Sequence, residues 1–150
     1  MTIELVLFVI VVALTLFNNG VQAYIHFEAY PLLRRVGKSE FAGYLGDYEA
    51  RLTVPLMLPY GLTVLGNLAL LVIRPEPLPL VGVILALVLN IAVAVVTITL
   101  ATPVYGRIKQ AQQAGGADMD SLMNINLLRL LLSTAASLTL LYLLLTLLAV

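Results

Sequence analysis

Four long apolar segments, joined by short polar connections, constrain this chain more than any other feature. They cover about residues 3–30, 52–73, 80–113 and 120–150. A helix needs about 20 apolar residues to cross a hydrocarbon layer of ~30 Å, and each segment contains such a stretch. Only 11% of the residues are charged, whereas a soluble domain averages roughly a quarter. The pattern predicts an all-α integral membrane four-helix bundle of up-down-up-down topology, in a single domain without an internal repeat.

The connection between the first two helices carries an amphipathic pattern of its own. Phe41, Tyr44, Leu45 and Tyr48 recur at spacings of three and four, which is typical of a helix with one apolar face. Such a face predicts a short amphipathic helix lying at the membrane interface. The alternative is a helical linker whose aromatic face packs beneath the bundle.

The basic residues predict the orientation and the location of the chain. The second connection holds only Arg74, and neither terminus carries a Lys or Arg. The first and third connections hold Arg34, Arg35, Lys38, Arg107 and Lys109. Because basic connections stay in the cytoplasm, we expect a multi-pass protein of the cell inner (plasma) membrane with both termini outside.

Composition narrows the range of sites and partners. Cysteine is absent and His26 is the single histidine, so thiolate metal sites, disulfides and multi-histidine centres within one chain are excluded. We predict no metal and no cofactor. The formal net charge of zero indicates no nucleic-acid partner. The expected partners are membrane lipid, a hydrophobic small molecule, and a second copy of the chain or another subunit.

The first helix carries a polar ridge on an otherwise apolar surface. Asn18, Gln22, His26 and Tyr30 follow one another at intervals of four residues, and side chains at i and i+4 lie on one helix face. Glu28 lies beside this ridge. An imidazole exchanges protons near neutral pH, so we expect His26 to act as a general base or as a donor to a ligand. The alternative is an ordinary interfacial histidine.

The other helices contribute polar residues at the same predicted depth. They are Glu49, Arg51 and Tyr60 from the second helix, and Asn126 and Arg129 from the fourth. The opposite half of the bundle contains little beyond Ser and Thr. The sequence therefore predicts a polar pocket at the cytoplasmic end, lined by these residues and by the ridge.

Arg129 is the most unusual member of this set, because leucines flank it on both sides. An arginine within a membrane helix is costly unless it faces inward and finds a partner. Glu28 and Glu49 are the candidate carboxylates. The pair would either fix the helix register or leave Arg129 to stabilise an enolate or phenolate as a catalytic residue.

Several of these residues form short motifs. They are Val21-Gln22, Tyr30-Pro31-Leu32, Val36-Gly37, Phe41, Tyr44, Tyr48, Arg51, and Asn126 with Arg129. The set resembles a family of small uncharacterised four-helix bacterial membrane proteins. More distantly, the architecture is similar to the anthrone oxygenase-like membrane proteins, some of which act on polycyclic phenols without a metal or flavin. This resemblance implies site residues at His26, Tyr30, Asn126 and Arg129. The tryptophans near the family's final motif, and the further histidines of some relatives, are missing here.

Two functions remain open from the sequence. The first is a membrane protein whose cytoplasmic pocket binds a hydrophobic small molecule and acts as a cofactor-independent enzyme on a polycyclic or phenolic substrate. The second is a non-catalytic lipid-binding or quinone-binding protein, or an accessory subunit of a membrane complex. Transport is disfavoured, because no polar path is apparent across the outer half of the bundle.

Overall fold

The computed structural model describes residues 2–149, and every regular element in that range is helical. Four helices are long and apolar enough to cross a membrane, which confirms the all-helical, four-helix prediction. They are Ile3–Leu33, Lys38–Leu70, Leu80–Ala111 and Gly116–Leu148. The last residue of the predicted fourth helix, Val150, lies outside the described residues.

The first and third long helices each contain a π-helical turn. Their parts are α1 (Ile3–Tyr24), π1 (Ile25–Ala29) and α2 (Tyr30–Leu33), and then α4 (Leu80–Val96), π2 (Thr97–Ala101) and α5 (Thr102–Ala111). The second and fourth long helices are α3 (Lys38–Leu70) and α6 (Gly116–Leu148).

A proline explains the position of each π-helical turn. Pro31 and Pro103 each stand two residues beyond the last π residue. Proline has no N–H to donate, and its ring crowds the carbonyl four residues earlier. A wider turn just before the ring relieves this conflict, so the Tyr30 N–H bonds the carbonyl of Ile25, five residues back. Turns of this kind occur frequently at functional sites.

The prediction of a separate interfacial helix between the first two long helices is not supported. Residues 39–48 form the first turns of α3, which runs unbroken from Lys38 to Leu70. Phe41 and Leu45 are buried in a cluster with apolar side chains of α2, α5 and α6, whereas Tyr44 is exposed. The apolar face thus packs beneath the bundle, because those helix ends offer it a protein surface in place of lipid.

Close helix contacts at the other end depend on glycine. A Cβ placed on Gly66 would lie 2.5 Å from Cγ2 of Val11, and one on Gly82 would lie 2.8 Å from Cδ2 of Leu143. Small residues let membrane helices approach in this way. A second apolar cluster surrounds these contacts and includes Phe8 and Leu140.

Polar side chains join the helices between the two apolar clusters. Asn18 donates from Nδ2 to Oγ1 of Thr63 at 2.7 Å and to the carbonyl of Pro59 at 3.4 Å. Hydrogen bonds between membrane helices contribute up to about 2 kcal/mol. We expect a coupling free energy of about 1 kcal/mol between Asn18→Ala and Thr63→Val in a double-mutant cycle of unfolding.

Thr139 supplies the control for this cycle, because its hydroxyl bonds the carbonyl of Ala135 within its own helix. Asn18→Ala and Thr139→Val should be additive in the free energy of unfolding. An Asn18–Thr63 cycle that is equally additive would show that this contact contributes nothing to helix association.

Candidate functional site

A cavity of about 300 Å³ lies between α3 and the third long helix, and side chains of α6 and π1 also line it. Its polar lining consists of Tyr30, Tyr48, Glu49, Thr53, Thr97, Thr102, Tyr105 and Arg129. Its apolar lining consists of Ile25, Leu52, Leu56, Met57, Ala101 and Leu122. Ligand sites commonly combine mostly apolar walls with a few convergent polar groups.

Helix periodicity explains how α3 builds one wall. Tyr48, Leu52 and Leu56 follow one another at intervals of four residues, and Glu49, Thr53 and Met57 repeat that spacing one position later. Two adjacent rows of this kind form one continuous face of a helix. Thr97, Ala101 and Tyr105 supply the facing row from π2 and α5.

Arg129 is the central feature of the cavity. It lies on the inward face of α6 with Asn126 and Ser133, and only 6% of its surface is exposed. Its Nε is fully enclosed and donates to no acceptor. The Tyr30 hydroxyl lies beside the guanidinium. An ionised side chain at this burial normally has a partner of opposite charge.

The predicted ion pair of Arg129 with Glu28 or Glu49 is wrong for the described part of the chain. The ion pairs of residues 2–149 are Arg34–Asp120, Arg107–Asp118 and Lys109–Glu49. Glu49 lies 2.8 Å from Nζ of Lys109, and Glu28 is exposed to solvent. A lysine near the cavity rim can extend its flexible side chain to Glu49 and stay partly hydrated. Among residues 2–149, Arg129 is therefore a buried cation without a carboxylate partner.

Three tyrosines line the same cavity as this cation. Tyr30, Tyr48 and Tyr105 all line the cavity, and the Tyr105 hydroxyl lies beside the carboxylate of Glu49. A phenol can donate or accept a hydrogen bond, and a guanidinium donates only. The cavity lining thus contains hydrogen-bond donors of Arg129 and Tyr30 side by side, which suits a ligand with an anionic or carbonyl oxygen.

Asn18, Gln22 and Asn126 lie between helices and outside the cavity lining. Asn126 donates from Nδ2 to the carbonyl of Gln22 at 3.1 Å, which joins α6 to α1. Oε1 of Gln22 and Oδ1 of Asn126 are both enclosed without a donor. Asn126 stands one helical turn before Arg129, so these two acceptors belong to the polar layer adjacent to the cavity.

Four other residues predicted for the pocket do not line this cavity. His26 is half-buried in π1, with its ring edge-on to Phe27, and its Nδ1 has no partner. Glu28 is exposed, and Arg51 is exposed on a different surface groove. Tyr60 donates to the backbone carbonyl of Asn90. Of the ten predicted site residues, Tyr30, Glu49 and Arg129 meet around the cavity.

The described residues contain no group of three or more histidine or carboxylate side chains that could hold a metal ion. No protein-family model, curated protein or solved structure matches the chain. The side chains that determine the chemistry of the cavity are one buried cation, the tyrosines and the apolar walls.

Proposed function

We propose that the chain is a multi-pass protein of the plasma membrane with an up-down-up-down bundle and both termini outside. Contacts between the helices support this topology, because they show that neighbouring helices run antiparallel: residue numbers rise along one helix as they fall along the other. Helices α1 and α3 meet at Val11–Gly66 and Asn18–Thr63, and α1 and α6 meet at Gln22–Asn126 and Asn19–Ser133. The third long helix and α3 meet at Asn90–Tyr60 and Lys109–Glu49. The basic residues at the cavity end support a cytoplasmic location for that end.

We propose that the cavity binds a hydrophobic small molecule that carries one anionic or carbonyl oxygen, such as a fatty acid, a phenol or a quinone. The observation that carries this proposal is Arg129, which is buried at the cavity wall and has no acidic partner in the described part of the chain. The apolar walls suit the body of such a ligand, and Arg129 with Tyr30 suits its oxygen.

The energetics favour an anionic oxygen. A buried ion without a partner carries a desolvation cost of several kcal/mol. A ligand anion in the cavity would offset that cost through charge-assisted hydrogen bonds, each contributing about 1.5–3 kcal/mol. One such contact corresponds to roughly 10-fold to 150-fold in affinity.

The proposal predicts discrimination by headgroup. In lipid nanodiscs, we expect dodecanoate to bind at least about tenfold more tightly than dodecanol, and dodecylamine to bind no better than dodecanol. Mass spectrometry of the intact complexes would count the bound molecules. The alkyl chain is constant across the series, so a difference reports the headgroup. Equal binding of the acid, the alcohol and the amine would refute an anion site at Arg129.

A second candidate function is a cofactor-independent enzyme on a polycyclic or phenolic substrate. Three tyrosines and a cation lining one cavity favour it, because such groups stabilise a developing phenolate or enolate. Glu49 lines the cavity and His26 does not, so Glu49 is the better-placed proton acceptor.

Chromatography of an aerobic incubation with a polycyclic phenol would test this second function. The wild type should convert the phenol, and Glu49→Gln should lose that activity while keeping dodecanoate binding. If the wild type binds the phenol but does not convert it, the enzymatic function is refuted and only the binding function is retained.

A further inference from the structure

The helices that border the cavity are joined at two levels and separated between them. Near one end, Nζ of Lys109 donates to both carboxylate oxygens of Glu49, at 3.1 and 2.8 Å. Near the other end, the Tyr60 hydroxyl donates to the carbonyl of Asn90. Glu49 and Tyr60 are eleven residues apart on α3, which is about 16 Å along a helix axis.

The space between these two contacts opens sideways. Thr53, Met57 and Thr102 line the cavity and are exposed, Met57 by 57%. They belong to the two facing helices, α3 and α5. All three stand on helices that are long and apolar enough to cross a membrane, so in a membrane-inserted bundle the opening would face lipid. We call it the lateral opening.

Arg129 lies at a depth that suits the headgroup of a lipid-like molecule. It stands nineteen residues before Leu148, the last residue of α6. That length of helix spans about 28 Å, close to the ~30 Å of a hydrocarbon layer. With Leu148 at one boundary of the hydrocarbon, Arg129 lies near the other.

The size of the cavity limits what it can enclose. Its volume of about 300 Å³ lies at the lower end of the roughly 300–1,000 Å³ that is usual for ligand sites. A headgroup or a single ring fits such a volume, and a long apolar chain has to leave it. The lateral opening provides that exit, with Met57 at its edge.

We infer that the ligand is a single-chain membrane amphiphile with an acidic head. It reaches Arg129 from the bilayer through the lateral opening, and its apolar chain stays between α3 and the third long helix. This inference rests on the proposed function, because it assumes that the head binds at Arg129. It adds the route of access and the class of ligand.

The absence of tryptophan from the chain makes a direct test possible. Met57→Trp places a single fluorophore in the lateral opening. Leu58→Trp is the matched control, since Leu58 is equally exposed, at 59%, and does not line the cavity. The probe is 9,10-dibromostearate added to nanodiscs, because its bromine atoms quench tryptophan at short range.

We expect saturable quenching in Met57→Trp, half-complete at a mole fraction roughly tenfold below that needed for Leu58→Trp. Oleate should reverse it, and methyl oleate should not. Adding Arg129→Met to Met57→Trp should remove the saturable component. The dodecanoate measurement is made on the same variants, so that binding is known independently of quenching.

The two measurements separate the possible failures. Met57→Trp that binds dodecanoate but shows no saturable quenching overturns the lateral route and leaves the site at Arg129. Full binding by Arg129→Met overturns the proposed function itself. Loss of binding in Met57→Trp but not in Leu58→Trp supports the lateral route, because the indole then blocks it.

Discussion

Arg129→Met should leave the ligand-free protein at least as stable as the wild type, and should abolish binding of an acidic amphiphile. Arg129 has no carboxylate partner among residues 2–149, so its removal breaks no ion pair and relieves a desolvation cost. If it were half of a structural ion pair, its loss would cost about 3–5 kcal/mol. Methionine keeps the unbranched side chain and fills much of the same volume.

Thermal unfolding in nanodiscs, with and without dodecanoate, measures both parts of this prediction. A ligand that binds the folded state alone raises the free energy of unfolding by about 2.7 kcal/mol at 100 times its dissociation constant. The wild type should show a rise of that order, and Arg129→Met should show none. Arg51→Met is the control, because Arg51 is exposed on α3 and should behave like the wild type. A large loss of stability in ligand-free Arg129→Met would instead indicate a structural role.

Among these substitutions, Phe41→Ala should cause the largest decrease in the free energy of unfolding. Phe41 is completely buried in the apolar cluster at the cavity end, together with Leu33, Ile108 and Met119. Truncating a buried phenylalanine costs about 3–5 kcal/mol, through lost burial and the space left behind. The same cluster contains Leu122, which lines the cavity, so ligand binding should weaken as well.

Tyr44→Ala is the matched control for Phe41→Ala. Tyr44 lies one turn further along the same helix and is 41% exposed, so its truncation should cost under about 1 kcal/mol. Denaturant unfolding of both variants measures the difference. Equal small effects would indicate that the start of α3 lies on the membrane surface and does not pack beneath the bundle.

The four long helices followed from the sequence, because apolar length is a strong signal and no other element competes with it. The sequence does not predict that α3 begins at Lys38 without a break, because residues 39–48 are polar enough to indicate a separate helix. Their burial depends on a surface formed by α2, α5 and α6. A continuous α3 places Tyr48 and Glu49 in line with the residues four and eight positions later that line the cavity.

The π-helical turn π1 explains why the residues of the polar ridge on the first helix do not all face the cavity. The ridge from Asn18 to Tyr30 assumes a constant spacing of 3.6 residues per turn. A π-helical turn bonds residues five apart and inserts one more residue, so π1 changes the direction of every side chain after it. Tyr30 lines the cavity, whereas His26, inside π1, does not.

The sequence also does not predict which cation pairs with Glu49. Lys109 on α5 and Arg129 on α6 are both candidates to pair with it, and the outcome depends on side-chain reach and on burial. Lys109 reaches it from α5. Arg129 is consequently without a carboxylate partner among residues 2–149, and this carries the proposed function. The sequence predicts that Arg129 faces inward, but it does not predict that Arg129 lacks a carboxylate.

The most direct test is to identify what the protein retains when it is purified in native lipid. Intact-complex mass spectrometry of the wild type should show one bound acidic amphiphile per chain. Arg129→Met, prepared in the same way and folded, should lack it, and Arg51→Met should keep it. Equal retention of the same molecule by Arg129→Met, or a bound molecule without an acidic or carbonyl oxygen, would contradict a ligand site built around Arg129.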